Sequence, residues 1–153
     1  MNNNDILRRI RYTFDFNDST MMRLFDLGGS EATREQISNW LKKDDDPDFQ
    51  SLHDIKLATF LNGFINEKRG KKEGEQPKPE KRLNNNLILR KLKIALSLKD
   101  EDILAMLELS GMTISKNEIS AFFRDPNQSQ YRECKDQILR NFIQGMQMKY
   151  RVV

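Results

Sequence analysis

The pattern of apolar and polar positions runs through the chain twice, with residues 85–151 repeating residues 3–69. The two segments align without a gap, and 15 of the 67 aligned positions are identical. Many of the other positions exchange one apolar residue for another, so the periodicity of the two copies stays in step. Such an internal repeat predicts the same structural unit in each copy. The sequence therefore predicts one domain that is present twice.

Each copy holds four segments whose apolar residues recur three and four positions apart, and no segment alternates with a period of two. We therefore expect an all-α fold with about four helices in each of two tandem repeats. The expected caps of the first and second helices are Asn4, Asn86, Asp18 and Asp100. Gly29 and Gly111 are expected to end the second helices, because glycine readily adopts a positive φ there.

The third helix of each copy is predicted to begin with a capping box, at residues 33–36 and 115–118. The fourth helix is predicted to span about residues 49–68 and 131–150. Gly63 and Gly145 lie inside it at equivalent positions, although glycine costs a helix about 1 kcal/mol relative to alanine. Their retention in both copies predicts a close approach to another helix.

A charged segment separates the copies. Residues 70–84 hold five basic and three acidic residues, and Leu83 is the one large apolar residue among them. This composition predicts an exposed linker between a first repeat at 1–69 and a second at 85–153. Because about 67 residues are marginal for an independent core, the two repeats are expected to pack on each other about a pseudo-twofold axis.

Composition argues against catalysis. The chain has 153 residues, with 26 basic and 23 acidic side chains, one histidine and one cysteine. Cys134 lies on an apolar stripe and is expected to be buried, whereas His53 is expected at the surface. The identical Asp54 and Asp136 are expected to form a structural ion pair or a helix cap rather than to act as general bases. No catalytic, cofactor-binding or metal-binding motif is present, so we expect a non-enzyme without cofactor or metal.

Clustered cations on the first helix of each copy are the leading candidate for binding a partner. They are Arg8, Arg9, Arg11, Arg90, Lys91 and Lys93. Neutralising phosphates requires such clusters, although a solvated helix face or ion pairs with a neighbouring helix are simpler interpretations. The net charge is −2 in the first repeat, +2 in the linker and +3 in the second repeat. The positive excess is therefore not a general signature of nucleic-acid binding.

The second and third helices have the general form of a helix-turn-helix, whose second helix would contact base edges with its first turn. The contacting residues would be Arg34, Asn39 and Lys116. The spacing argues against the standard motif, because eight positions separate Gly29 from Ile37 and the turn is too long. Trp40 and Phe122 are expected in the core rather than at an interface.

An acidic loop contains Asp44, Asp45, Asp46 and Asp48. Oxygen ligands of this kind suit a hard cation, but the spacing of an EF-hand and its closing glutamate are absent. The second repeat also places Pro126, Asn127 and Gln128 at the corresponding positions. We therefore interpret the acidic run as a solvated turn.

Ordered motifs cover nearly the whole chain. They are NNDILRRIRYTFD, QISNWLKKDDDP and FLNGFINEKRGK in the first repeat, and ISAFFRDPNQSQYRECKDQILRNFIQGM in the second. In these motifs the chain resembles the YehS-like bacterial proteins, a family of unknown function built from the same domain twice. The resemblance implies a bacterial, cytoplasmic protein. It implies no activity, because the family has no established catalytic residues.

The expected function is that of a non-enzymatic binding or adaptor module. The expected partner is a macromolecule, with a protein favoured and a nucleic acid as the alternative. The N-terminal segment lacks the apolar run of a signal peptide, and no stretch approaches the roughly 18 apolar residues of a membrane span. We therefore expect no membrane partner and a cytoplasmic location.

Overall fold

The computed structural model describes residues 1–151, which form eight α-helices and no strand. The helices are α1 (Asn3–Phe14), α2 (Asp18–Leu27), α3 (Arg34–Leu41), α4 (Asp54–Arg69), α5 (Asn85–Ala95), α6 (Asp100–Leu109), α7 (Lys116–Ala121) and α8 (Asp136–Tyr150). The chain divides into two compact units, the first ending at Leu83 and the second beginning at Asn84. The prediction of an all-α fold with tandem repeats is confirmed. The pseudo-twofold packing and the division into residues 1–69, 70–84 and 85–153 stay predictions.

The predicted cap residues are correct for the third helices and wrong for the first and second helices. The third helices begin as predicted, because the Thr33 and Ser115 side chains each accept a hydrogen bond from the backbone three residues later. The predicted caps of the first and second helices are wrong, because those helices begin one or two residues earlier. The residues at these cap positions are Asn2, Asn17, Asn84 and Lys99.

The prediction for the fourth helices is wrong by five residues at their start. Helix α4 begins at Asp54 and α8 begins at Asp136. The five residues before each of them are not helical. Their backbone N–H and C=O groups lack the partners that a helix would supply, and buried groups of this kind are nearly always paired. In each repeat, an asparagine of the first helix supplies a partner to two of these backbone groups.

The buried side chain of Asn4 hydrogen-bonds three backbone groups of the first repeat. Its Nδ2 donates to the Trp40 carbonyl oxygen at 2.9 Å and to the Gln50 carbonyl oxygen at 2.8 Å. Its Oδ1 accepts a hydrogen bond from the backbone N–H of Leu52 at 3.0 Å. One amide therefore fixes the end of α3 and the extended segment before α4.

Asn86 makes the equivalent three hydrogen bonds in the second repeat. Its Nδ2 donates to the carbonyl oxygens of Phe122 and Arg132 at 3.0 and 2.8 Å. Its Oδ1 accepts from the backbone N–H of Cys134 at 2.9 Å. We refer to these two arrangements, centred on Asn4 and Asn86, as the asparagine clamps.

Apolar side chains are buried in both units. Trp40, Phe122 and Cys134 are all buried, so the prediction that they are core residues is confirmed. In the first unit the Phe25 ring packs against the rings of Trp40 and Phe60, with centroids 5.3 and 5.2 Å apart. Such tilted aromatic pairs add to the stabilisation from burial.

The second and fourth helices of each unit cross at very short distance. A Cβ added to Gly63 would lie 1.7 Å from the Leu24 carbonyl oxygen, and one added to Gly145 would lie 1.9 Å from the Met106 carbonyl oxygen. No side chain larger than hydrogen fits at either position without moving a helix. The predicted close approach at both glycines is confirmed.

Candidate partner-binding face on the first helices

Two arginines that are identical in the repeats contact the end of the third helix. Arg8 Nη1 donates to the Lys42 carbonyl oxygen at 2.6 Å, and Arg90 Nη2 donates to the Phe123 carbonyl oxygen at 2.7 Å. Carbonyl groups at a helix C-terminus lack intrahelical partners, so Arg8 caps α3 through its C-cap residue, whereas Arg90 binds the carbonyl just beyond the C-cap of α7. Arg8 also forms an ion pair with Asp5. No carboxylate within residues 1–151 pairs with Arg90.

The other four predicted cations differ in their surroundings. Lys93 Nζ lies 3.1 Å from Asp100 Oδ1 and is half-buried. Arg11 is exposed, and no acid in the described part of the chain pairs with it. Arg9 is half-buried and Lys91 is buried, and each has interaction partners within the chain. Of the six predicted cations, Arg11 and Arg90 are thus exposed and form no ion pair with a carboxylate of residues 1–151.

A large apolar side chain lies exposed beside these cations in both repeats. Tyr12 is 47% exposed and Ile94, at the equivalent position, is 44% exposed. Arg8 and Arg90 each lie four residues earlier, one turn along the same helix face. We call this surface the first-helix face of each repeat. Its members are Arg8, Arg9, Arg11 and Tyr12 on α1 and, separately, Arg90, Lys93 and Ile94 on α5. Lys91, also predicted from the sequence as a binding residue, is buried and does not belong to it.

The predicted contact residues of the third helices lie at or near their surface. Arg34 is exposed, with Nε 4.0 Å from Asp18 Oδ2, and the equivalent Lys116 forms an ion pair with Glu101. Both pairs join the start of the third helix to the start of the second. Asn39 is half-buried, and its Oδ1 accepts a hydrogen bond from the side chain of Lys42 at 3.2 Å. A role of Arg34, Asn39 and Lys116 in binding stays a prediction.

An open depression of about 730 Å³ lies between α2 and the start of α3. It is lined by Ser19, Met22, Arg23, Asp26, Glu31, Ala32, Thr33 and Arg34. Its acidic and basic groups offset each other, and Arg23 forms an ion pair with Glu67. The second repeat has Ala105 in place of Arg23 and Thr113 in place of Glu31. The lining is therefore not shared between the repeats.

The two identical aspartates at the start of the fourth helices make structural hydrogen bonds. Asn3 Nδ2 donates to Asp54 Oδ1 at 2.7 Å, and Asn85 Nδ2 donates to Asp136 Oδ1 at 2.7 Å. Asp54 Oδ2 also accepts the backbone N–H of Leu83 at 2.8 Å, which ties the end of the linker to the first repeat. Both carboxylates thus have a structural role, but within residues 1–151 they accept hydrogen bonds from asparagine side chains instead of forming the predicted ion pair or helix cap.

The remaining residues that could serve in catalysis or metal binding lie in surroundings that do not favour either role. Burial, helped by the charges of Asp136 and Glu133, raises the pKa of the Cys134 thiol to about 12, so the reactive thiolate is disfavoured. His53 is exposed at the cap of α4. The part of the chain that the structure describes holds no group of three or more His, Cys, Asp or Glu side chains suited to a metal ion. None of its helices combines the length and apolar character needed to cross a membrane.

The duplicated clamp and helix crossing define a tandem-repeat helical protein. The chain belongs to the DUF1456 family of proteins of unknown function, whose model matches residues 3–70 and again residues 85–151. It is 48% identical over 153 residues to an uncharacterized protein, YehS, of Escherichia coli (strain K12), across 99% of this chain and 98% of that protein. No solved structure matches the chain. The resemblance inferred from the sequence motifs is confirmed.

Proposed function

We propose that the chain is a cytoplasmic protein-binding module that contacts its partner through the first-helix face. The observation that supports this proposal is the exposed apolar residue at the same position of both repeats, Tyr12 and Ile94, next to exposed cations. An apolar side chain beside an arginine is a composition enriched in protein interfaces. The buried, unpaired thiol of Cys134 is compatible with a reducing compartment.

Exposed apolar residues are common at protein surfaces. The position of Tyr12 and Ile94 differs from the ordinary case because it is apolar and exposed in both repeats. The other large exposed ones among the described residues are Ile55, Leu109 and Met148. Ile55 and Met148 have polar counterparts, Gln137 and Asn66, and the counterpart of Leu109 is the half-buried Leu27. Tyr12 and Ile94 alone of this described set are large, apolar and exposed in both repeats.

Site-specific photo-crosslinking tests the proposal. p-Benzoylphenylalanine is introduced at position 12, at position 94 or, as the matched control, at position 55, and the whole chain is irradiated in bacterial cells. We expect discrete protein adducts from positions 12 and 94 and none from position 55, which is similarly exposed at 38%. Adducts of equal yield from all three positions, or none from 12 and 94, would contradict the proposal.

Nucleic-acid binding is the second candidate, favoured by Arg11 and Arg90, which are exposed and unpaired with acids in the described residues. Phosphate contacts release counterions, so such binding weakens steeply with salt. The test is retention of the nuclease-treated chain on heparin at increasing salt. Retention lost in the double variant Arg11→Gln with Arg90→Gln would support this candidate, and elution at low salt would reject it.

A further inference from the structure

The exposed side of α5 carries an apolar and cationic stripe that α1 does not reproduce. Leu87, Arg90 and Ile94 are three and four residues apart, so they follow one another along the same face of the helix. Leu87 is half-buried, and Arg90 and Ile94 are exposed. Leu87 and Ile94 lie seven residues apart, which is about 10.5 Å along the axis. We call these three residues the α5 stripe.

The arginine in the α5 stripe is held in place and keeps its charge. Its Nη2 donates to the Phe123 carbonyl oxygen at 2.7 Å, which uses one of five guanidinium donors. A carbonyl group does not neutralise the positive charge, and helix α5 contains no acidic residue. The guanidinium therefore lies between two apolar positions of the same helix face and forms no ion pair with a carboxylate of residues 1–151.

In the first repeat, one substitution removes both features of the stripe. Asp5 occupies the position equivalent to Leu87, and it forms an ion pair with Arg8, the counterpart of Arg90. The apolar residue is thus replaced by a carboxylate, and the arginine charge is compensated within the chain. The α1 face keeps Tyr12 as its one exposed large apolar residue.

We infer that the α5 stripe docks an acidic amphipathic helix of a protein partner. This inference rests on the proposed function and names the class of partner. A partner helix with apolar residues seven positions apart and glutamate or aspartate between them would place its acids at Arg90 and its apolar residues against Leu87 and Ile94. The first-repeat face fits such a helix less well because Asp5 would repel it.

A protein fits this stripe better than a nucleic acid does. Leu87 and Ile94 are aliphatic, and they gain little from a phosphate backbone or from stacking on bases, which uses aromatic or guanidinium groups. Against an amphipathic helix both side chains would be removed from water. Charge complementarity and apolar spacing therefore select the same partner class.

The experiment uses a stapled, fluorescein-labelled helix of about 18 residues, long enough to be helical, with leucines seven apart and glutamates between them. Its binding to the whole chain is measured by fluorescence anisotropy. We expect saturable binding that weakens at least about fivefold in Leu87→Asp, which installs the first-repeat residue, and in Ile94→Ser. Ile55→Gln, which installs the second-repeat residue at another exposed site, should bind as the parent chain does.

The reciprocal variant Asp5→Leu should create a second site, so that two probe helices bind per chain instead of one. A probe with lysines in place of the glutamates should not bind. Equal binding of both probes, or full affinity in Ile94→Ser with a native circular dichroism spectrum, would overturn the inference. Displacement of the probe by duplex DNA at equal concentration would also overturn it in favour of a nucleic acid. If the inference fails in one of these ways but position 94 still forms crosslinks to a protein, the proposed function is supported and only the class of partner is wrong.

Discussion

The two repeats share their interior hydrogen bonds and differ where the second helix ends. Asn4 and Asn86 make three equivalent hydrogen bonds each. At the crossing of α2 and α4, however, both Gly28 and Gly63 lie against the backbone of the other helix. The second repeat keeps the equivalent of Gly63 but has Ser110 in place of Gly28. The crossing therefore leaves room for a side chain in one repeat and not in the other.

Asp18 and Asp100 show the same divergence at the surface. Asp100 accepts hydrogen bonds from Ser120 Oγ at 2.5 Å and from Lys93 Nζ at 3.1 Å. Asp18 is exposed, and the nearest basic group, Arg34 Nε, is 4.0 Å away. The clamp contacts to backbone atoms occur in both repeats, whereas the side-chain contacts of Asp100 are not reproduced at Asp18. The comparison of the repeats therefore distinguishes hydrogen bonds that both copies need for the fold from surface contacts that differ between them.

The largest expected effect tests the shared part of this comparison. Gly63→Ala and Gly145→Ala should each destabilise the chain by about 4 kcal/mol, because a methyl group would overlap a carbonyl oxygen and force two helices apart. The measurement is urea unfolding of the whole chain. Ile55→Ala, at an exposed position of α4, is the control and should change stability little. Comparable midpoints for Gly63→Ala and the control would refute the close approach.

The sequence predicted this crossing because a glycine inside a helix is costly and both copies retain it. It also predicted the eight helices, whose apolar periodicity is local. It did not predict where α4 and α8 begin, because the preceding residues are held by the Asn4 and Asn86 side chains from far away in the chain. Local capping preferences misassigned both asparagines as caps, since neighbouring asparagines satisfy the same pattern.

The second expected effect tests the asparagine clamps. Asn4→Ala and Asn86→Ala should each cost about 3 kcal/mol, because one backbone group at the end of the third helix and two in the segment before the fourth helix lose their partner. Asn2→Ala is the matched control, since it removes a surface cap worth about 1 kcal/mol. Both costs are read from urea unfolding midpoints with unchanged slopes. Similar costs for Asn4→Ala and Asn2→Ala would show that water replaces the clamp.

An exchange between the repeats should have a smaller and asymmetric effect. Gly28→Ser installs the second-repeat residue and should cost about 2 kcal/mol, because a Cβ would lie 1.8 Å from the Thr59 carbonyl oxygen. The reverse variant Ser110→Gly should cost only about 1 kcal/mol, through the lost hydrogen bond to the Leu107 carbonyl oxygen and greater chain entropy. Thermal unfolding of the two variants gives the comparison. Equal costs would mean that the two crossings have the same spacing.

The candidate site could be predicted only in part. Cationic residues of the first helices were visible as a repeated cluster, but their partners were not. Arg8 and Arg90 contact carbonyl groups of residues 42 and 123, which are distant in sequence. Tyr12 and Ile94 were not singled out, because an apolar residue off the core stripe looks incidental within one copy. The alignment of the copies pairs these two residues, but their exposure is evident only from the structure.

The smallest expected effect concerns the pH dependence of Asp100. Burial alone would raise the pKa of this carboxyl group, but hydrogen bonds from Ser120 and Lys93 and the nearby lysine charges outweigh burial, so its pKa lies below the ordinary value. A carboxyl group with a lowered pKa in the folded state stabilises the fold above its unfolded pKa of about 3.9. This stabilisation is lost as the pH falls through the lower, folded-state pKa.

Asp100→Asn should therefore lose about 1 kcal/mol at neutral pH, a value reduced by solvent screening because the carboxylate is partly exposed. The difference from the parent chain should shrink as the pH falls below about 4, where the parent carboxylate also becomes neutral. Asp18→Asn is the matched control in the first repeat and should show a much smaller difference at neutral pH, since Asp18 lacks the serine and lysine contacts. Urea unfolding from pH 3 to pH 7 gives both curves. Parallel curves for the two variants would mean that the second-repeat network contributes nothing beyond an exposed carboxylate.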